Sequence, residues 1–296
     1  MMATGEVIGT VYLADNLEFL RELQSGSVDL IYIDPPFNTG KVQQRTQIRT
    51  LRSQNGDRVG FQGRRYATIT LGTKSFSDLF DDYLAFIEPR LLEAHRVLAA
   101  HGSLYFHVDY REVHYCKVLL DAIFGRDSFL NEIIWAYDYG GRPRNKWPPK
   151  HDNILLYVKD PANYVFNYDE IERIPYMAPG LVGPEKAARG KLPTDTWWHT
   201  IVPTNSAEKT GYPTQKPIGI LKRIVQASSR PGNVVLDFFA GSGTTGAVCL
   251  ALGRRFLLVD NSCQALEVMA RRFDSVEGIR WVGFDPTPYQ TPIDVR

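Results

Sequence analysis

An acid, two prolines and an aromatic ring follow an apolar run in "YIDPPFNTG", residues 32–40. An acid at the C-terminal edge of a buried parallel strand lies where the sites of α/β sheets form. The first proline has no N–H to donate, and the pair restricts the backbone of the turn. The carbonyl oxygens of Pro35 and Pro36 can then point outward as acceptors beside the Asp34 carboxylate, and Phe37 offers a flat face to a ring. Such a site would receive an –NH₂ group. A rigid loop start with a core phenylalanine fits the same letters, so the stretch alone is ambiguous.

A second stretch, "LDFFAGSGTTG" (236–246), puts an acid, Asp237, at a strand end before a turn containing Gly241 and Gly243. Glycines let backbone approach a ligand closely, and the helix opening at Thr244 offers unpaired N–H groups. Asp260, at the end of the next apolar run, stands where an acid can accept hydrogen bonds from ribose hydroxyls. The spacing is not G-x-G-x-x-G and no Walker lysine follows, which disfavours a dinucleotide or a nucleoside triphosphate.

The elements that must position these residues alternate. "TVYLAD" (10–15) reads as a strand, 16–23 as a helix, and "SVDLIYID" (27–34) as a strand buried on both faces. Residues 75–102 have helical spacing, with Pro89 expected to kink the helix or begin a second one and Gly102 to stop it. "SLYFHVD" (103–109) is another strand and 112–125 another helix. After residue 213 come a helix closed by Pro231-Gly232, the strand 233–239, the glycine turn and its helix, the strand 254–260, a helix, and a last strand at 279–284. This predicts an α/β fold with a doubly wound, mostly parallel sheet.

Two segments break the rhythm. Residues 131–212, rich in Pro, Gly, Tyr and Trp, read as an irregular inserted lobe. Residues 41–75, also read as irregular, carry eight Lys and Arg against a single acid, Asp57. The whole chain of 296 residues has a formal net charge of only +1, so the uneven distribution is the informative part. No apolar run is long enough to span a bilayer, and three cysteines without metal spacing suit a reducing cytoplasm. Neither His107 nor His199 has partners at metal spacing, so no metal site is expected.

Together, "DPPF" and "FAGSGTTG" resemble the DNA amino-methyltransferases that use S-adenosylmethionine. Residues 212–260 look like that family's joined motif X and motif I. The order, with DPPF first and the glycine turn last, is similar to the permuted β group. The resemblance implies a methyltransferase fold with the catalytic domain formed by 1–130 and 213–296. The resemblance does not determine the other two segments; their charge and composition make 41–75 a basic DNA-contacting loop and 131–212 a target-recognition lobe.

The resemblance also implies roles. Asp34 and the Pro35 carbonyl would accept from the target amine, with Pro36 shaping the turn and Phe37 stacking on a flipped base. Phe239, Gly241, Gly243 and Thr244 would shape the cofactor pocket. Asp237 would lie near the methionine amino group, Thr214 and Lys216 near its carboxylate, and Asp260 at the ribose. Asp15 would meet the adenine, although helix capping accounts for it as well. Apart from the resemblance, the concentration of positive charge in the two irregular segments makes Arg45, Arg49, Arg52, Arg64, Arg65, Arg142, Arg144, Lys146 and Lys150 the expected phosphate contacts. Trp197 and Trp198 are expected to pack.

The acid that opens the motif leans to adenine-N6 in duplex DNA. Cytosine-N4 is the alternative, and RNA or protein amines stand behind it; a DNA-binding module without catalysis is disfavoured by the intact motifs. Methylation of cytosine carbon needs a thiolate in a Pro-Cys context, which Cys116, Cys249 and Cys263 lack. Duplex DNA is the expected partner, with no membrane. A cognate restriction endonuclease and a homodimer are left open.

Overall fold

The computed structural model describes residues 7–37, 41–52, 58–59, 65–78, 82–203 and 205–290, and of the segment 41–78 the backbone only. It divides into two compact units, 1–35 with 84–296, and 36–83.

The larger unit is built on a nine-stranded sheet in the order β12-β1-β11-β10-β2-β6-β8-β7-β9. Its strands are β1 (Gly9–Leu13), β2 (Val28–Ile33), β6 (Leu98–Val108), β7 (Phe129–Ala136), β8 (His151–Val158), β9 (Thr196–Trp198), β10 (Val234–Asp237), β11 (Arg255–Asp260) and β12 (Ile279–Val282). From β12 across to β6 every pair is parallel, whereas β8 pairs antiparallel with β6 and β7. The helices are α1 (Asn16–Glu22), α2 (Tyr83–Val97), α3 (Val113–Phe124), α4 (Pro184–Arg189), α5 (Ile218–Ser228), α6 (Thr244–Leu252) and α7 (Cys263–Arg272).

The apolar runs behave as strands buried on both faces require: Leu30, Ile31 and Ile33 of β2, and Leu104, Phe106 and Val108 of β6, are fully buried. From β2 the chain moves outward to β6, and from β10 it moves the other way to β11. The β2–β10 boundary is therefore a topological switch point, where crevices form beyond the carboxyl ends of strands. Asp34 follows β2 and Asp237 ends β10, so the two motifs read from the sequence meet at this edge.

Several expectations change. Helix α2 continues through Pro89, held by fully buried Ile87 and Leu91 on either side. It ends at Val97, and Gly102 lies inside β6, which begins five residues earlier than expected. Residues 131–212 are irregular only in part, because β7, β8 and β9 extend the main sheet. The described residues of 41–75 are not irregular: β3 (Lys41–Arg52), β4 (Arg58–Val59) and β5 (Arg65–Asp78) form a three-stranded antiparallel sheet, belonging to the unit 36–83. No helix among the described residues is long and apolar enough to cross a membrane.

Candidate active site

Asp34 emerges from β2 with a partly buried side chain whose two oxygens differ sharply. Oδ2 accepts from the Lys216 ammonium, in a short charge-assisted contact. Oδ1 is buried and has no hydrogen-bond partner. A buried carboxylate oxygen left unsatisfied is costly, and in native structures it calls for an explanation such as a ligand group. The Nδ1 of His107 lies 3.7 Å away, beyond hydrogen-bond reach.

His107 is itself fully buried on β6 and belongs to a polar network behind Asp34. Its Nδ1 is 2.8 Å from the Tyr32 hydroxyl, and its Nε2 is 3.3 Å from Asp152 Oδ2. The Tyr137 hydroxyl donates to Asp152 Oδ1 at 3.0 Å. A carboxylate only accepts, so Nε2–H donates to Asp152, while Nδ1 meets the Tyr32 hydroxyl. The nitrogen facing Asp34 is then occupied by Tyr32, which leaves Oδ1 for another donor. Burial pushes the Asp152 carboxyl up, but the hydrogen bond and charge of His107, with Lys216 and Tyr137, hold it below its ordinary value.

The glycine turn is built by the acids around it. Asp237 Oδ1 accepts from the Phe239 N–H at 3.1 Å and its Oδ2 from the Thr245 hydroxyl at 2.6 Å. Asp260 Oδ2 accepts from the Gly241 N–H at 2.8 Å and its Oδ1 from the Ser262 N–H at 2.9 Å. Gly241 and Gly243 both have left-handed backbone, at φ 49° and 71°. Arg272 braces the turn from behind, donating to the Ser242 carbonyl at 3.0 Å and to the Thr244 hydroxyl at 2.8 Å. The Thr244 hydroxyl in turn donates to the Lys216 carbonyl at 3.2 Å, so one residue, Lys216, touches both motifs.

Burial pushes the Asp237 carboxyl up to about 7, against the hydrogen bonds that favour its charge. Between its ordinary 3.8 and about 7 the folded chain holds a proton that the unfolded chain has released. Its contribution to stability is thus fully present below that window and lost as the pH rises through it. Thermal denaturation from about pH 5 to about pH 8 should therefore lower the Tm of the wild type more than that of Asp237→Asn. Parallel curves would mean that the folded chain keeps Asp237 ionised throughout.

The other residues singled out from the sequence fall into place unevenly. Asp15 caps α1, its Oδ1 accepting from Leu17 and Glu18 N–H at 2.9 and 3.1 Å, while Oδ2 lies 3.7 Å from Arg90. Asn16 beside it donates to the Phe238 carbonyl at 2.9 Å, which ties the end of β1 to the glycine turn. Phe238 is buried, whereas Phe239 is partly exposed beside Phe86. Thr214 is exposed, and the Lys216 ammonium pairs with Asp34. Pro35 is buried; Pro36 and Phe37 open the second unit.

Among the candidate DNA contacts, Arg142 pairs with both Asp138 oxygens at 2.8 Å, and Arg144 and Lys146 are exposed. Lys150 is committed to backbone carbonyls, including Gly140 at 2.8 Å. Arg45, Arg49, Arg52 and Arg65 lie on β3 and β5, and Arg64 lies outside the described residues. Trp197 packs as expected, with its indole N–H on the Thr194 carbonyl at 2.7 Å, but Trp198 does not: it is exposed on the edge strand.

No group of three metal-ligating side chains occurs among the described residues. Cys116 and Cys249 are buried, and burial pushes the Cys116 thiol up to about 12. Sequence reasoning missed His107, Asp152, Tyr32 and Arg272. A histidine inside the apolar run "LYFHV" was the one available signal.

The charges converge. Burial first, then Asp34 and Asp260, push the Asp237 carboxyl up, and burial with the same two acids pushes up the Tyr212 hydroxyl. Three carboxylates therefore share one edge of the sheet with a left-handed glycine turn and an orphaned acceptor. This set of acceptors fits a cationic nucleotide-like ligand beside an amine.

Known proteins match the chain over most of its length. The family model described as DNA methylase matches residues 28–271. The DNA adenine methyltransferase YhdJ of Escherichia coli strain K12 is 32% identical over 278 residues, covering 91% of this chain and 84% of that protein. The type II methyltransferase M.HpaI of Haemophilus parainfluenzae is 31% identical over 269 residues, covering 91% and 74%. Among solved structures, the cytosine-N4-specific PvuII DNA methyltransferase superposes with a TM-score of 0.61 at 14% identity, covering 96% of this chain and 90% of that one. The M1.HpyAVI–SAM complex does so with a TM-score of 0.57 at 20% identity, covering 90% and 99%. At those identities the structures speak for the fold alone, but the sequence matches do more: the chain belongs to the N6/N4 DNA methylase family.

Proposed function

We propose that the protein transfers a methyl group from S-adenosylmethionine to the exocyclic amine of adenine in duplex DNA, after the base has been flipped from the helix. One observation carries the reading: the buried, unpartnered Asp34 Oδ1 at the switch point, next to the glycine turn. The aspartate that opens the motif and the name of the 32% identical relative support adenine over cytosine-N4.

The cofactor, when bound, supplies an electrophilic methyl on a sulfonium. Gly241, Gly243 and the α6 N-terminus would line its pocket, with Phe239, Asp15, Asp237 and Asp260 around it and Thr214 at the rim. An exocyclic ring amine is a poor nucleophile because its lone pair is delocalised. Asp34 Oδ1 and the Pro35 carbonyl accept its two hydrogens, favour pyramidal nitrogen, and stabilise the positive charge that grows there. Lys216 on Oδ2 fixes the carboxylate in place, and the Tyr32–His107–Asp152 network walls its other side. Phe37 is the ring that the motif offers to the base. Once methylated the nitrogen is cationic and gives one proton to Asp34 Oδ1, which passes it to solvent, so Asp34 need not be a strong base, and no covalent intermediate is needed.

Exposed Arg144 and Lys146, with the arginines of β3 and β5, would meet phosphates, and the loops of 137–212 would read the site. A bacterial cytoplasmic setting at the nucleoid and a partner endonuclease belong to the same reading. The test is incubation with tritiated S-adenosylmethionine and duplex DNA, RNA or protein, followed by nucleoside analysis. N6-methyladenine from DNA is expected. N4-methylcytosine would overturn the base assignment, and label in RNA or protein alone would overturn the substrate.

A further inference from the structure

We infer that Trp147 is the side chain that opens the duplex, entering the base stack beside the target and filling the space that the flipped base leaves. The inference rests on the DNA-methylation reading. Trp147 is 94% exposed, an extreme position for the largest apolar side chain. Unlike Trp197, it is not accounted for by packing.

The loop that carries it is built to hold it out. Residues 137–150 join β7 to β8, and the Tyr137 N–H closes their base on the Lys150 carbonyl at 2.9 Å. The Lys150 ammonium clamps the Tyr139, Gly140 and Gly141 carbonyls, Arg142 is pinned to Asp138, and Pro143, Pro148 and Pro149 restrict the backbone. A lysine spent on loop carbonyls is a staple rather than a phosphate contact. From Tyr139 to His151 the loop contains no acid, and its remaining charges, Arg144 and Lys146, are exposed close to the ring in sequence. A protruding ring flanked by cations matches a polyanion with stacked bases.

The loop is also rooted in the candidate active site. Its feet, Tyr137 and Asp152, are joined by the 3.0 Å hydrogen bond, and Asp152 leads through His107 to Asp34. A wedge fixed to the wall behind the acceptor can open the stack next to the place where the amine must arrive. This assigns Trp147 a positioning role, since the ring touches neither the amine nor the cofactor.

The test starts with wild-type enzyme on genomic DNA to find its methylated sequence. Oligonucleotide duplexes of that sequence are then made with the target base matched or mismatched. On the matched duplex Trp147→Ala should lose about 10- to 100-fold in kcat/KM, and Trp147→Phe, which keeps a ring, should lose far less. A mismatch lowers the work of opening, so it should restore Trp147→Ala to near wild-type rate. 2-Aminopurine at the target should brighten with the wild type and stay dim with Trp147→Ala on the matched duplex. An unimpaired Trp147→Ala, or an equal loss on both duplexes, would overturn the assignment while the wild type still methylates DNA. A wild type that methylates no duplex would overturn the DNA reading and this inference with it.

Discussion

Asp34→Ala is expected to lower methyl transfer by at least about 10³-fold while cofactor affinity stays near the wild-type value. The size follows from what is removed. The variant loses the oriented charge that the reacting nitrogen meets as it turns cationic, and in a site shielded from water such a group is worth far more than in solution. Cofactor affinity is spared because the glycine turn takes its shape from Asp237 and Asp260, not from Asp34.

The alanine variant also deprives Lys216 of its carboxylate, and Lys216 reaches the turn through its own carbonyl. Asp34→Asn is therefore the cleaner companion. It keeps the volume and one acceptor oxygen while removing the charge, and should still lose about 10²-fold or more in kcat. Cofactor binding by calorimetry and single-turnover transfer, measured on both variants, separate the two effects. A near wild-type rate for Asp34→Asn would remove Asp34 from the chemistry.

What made this site readable in the sequence was the local character of its parts. An apolar strand, a terminal acid, a proline pair and a glycine turn are each set by neighbours in the chain, so their letters carry their geometry. The partners behind Asp34 are not local. Tyr32 and His107 are 75 residues apart, His107 and Asp152 are 45, and Lys216 is 182 from Asp34. Strand order, and for Lys216 the turn that leads into α5, bring them together, and no spacing rule announces it. His107 was weighed as a metal ligand, whereas its partners are a tyrosine and an acid on adjoining strands.

The missed strands have a different cause. "KVQQRTQIRTLR" lacks the alternation of apolar and polar residues that marks a strand with one buried face, whereas "ATITL" within "RYATITLGTKSFSD" carries it but is short and set among basic and polar residues. Their pairing, Lys41 with Asp78 through Arg52 with Tyr66, is a long-range fact that composition does not reveal. Within 131–212, the runs "EIIWA" and "NILLYV" were strand-like, but the Pro- and Gly-rich stretches around them dominated the composition.

Gly241→Val should abolish measurable cofactor binding, a loss of at least about 100-fold in affinity, in a protein that still folds. The two glycines of this turn allow the claim to be made sharply, because they fail in different ways. At Gly241 the backbone sits at φ 49°, where a β-branched residue is strained, and an added Cβ would approach the Tyr212 ring to 3.1 Å. Tyr212 lies under the charges of Asp260 and Asp34, so the displacement falls between the two motifs. At Gly243 an added Cβ would instead meet Met269 Cγ at 2.7 Å and Phe273 Cζ at 3.2 Å, and both side chains are core. Gly243→Val should accordingly lower Tm and soluble yield before binding can be measured at all, by the overpacking that buried cores resist. A Gly241→Val protein with wild-type Tm and undiminished affinity would remove the turn from the cofactor site. A Gly241→Val protein that unfolds as readily as Gly243→Val would show that both glycines serve the core, and that the pocket lies elsewhere along the sheet edge.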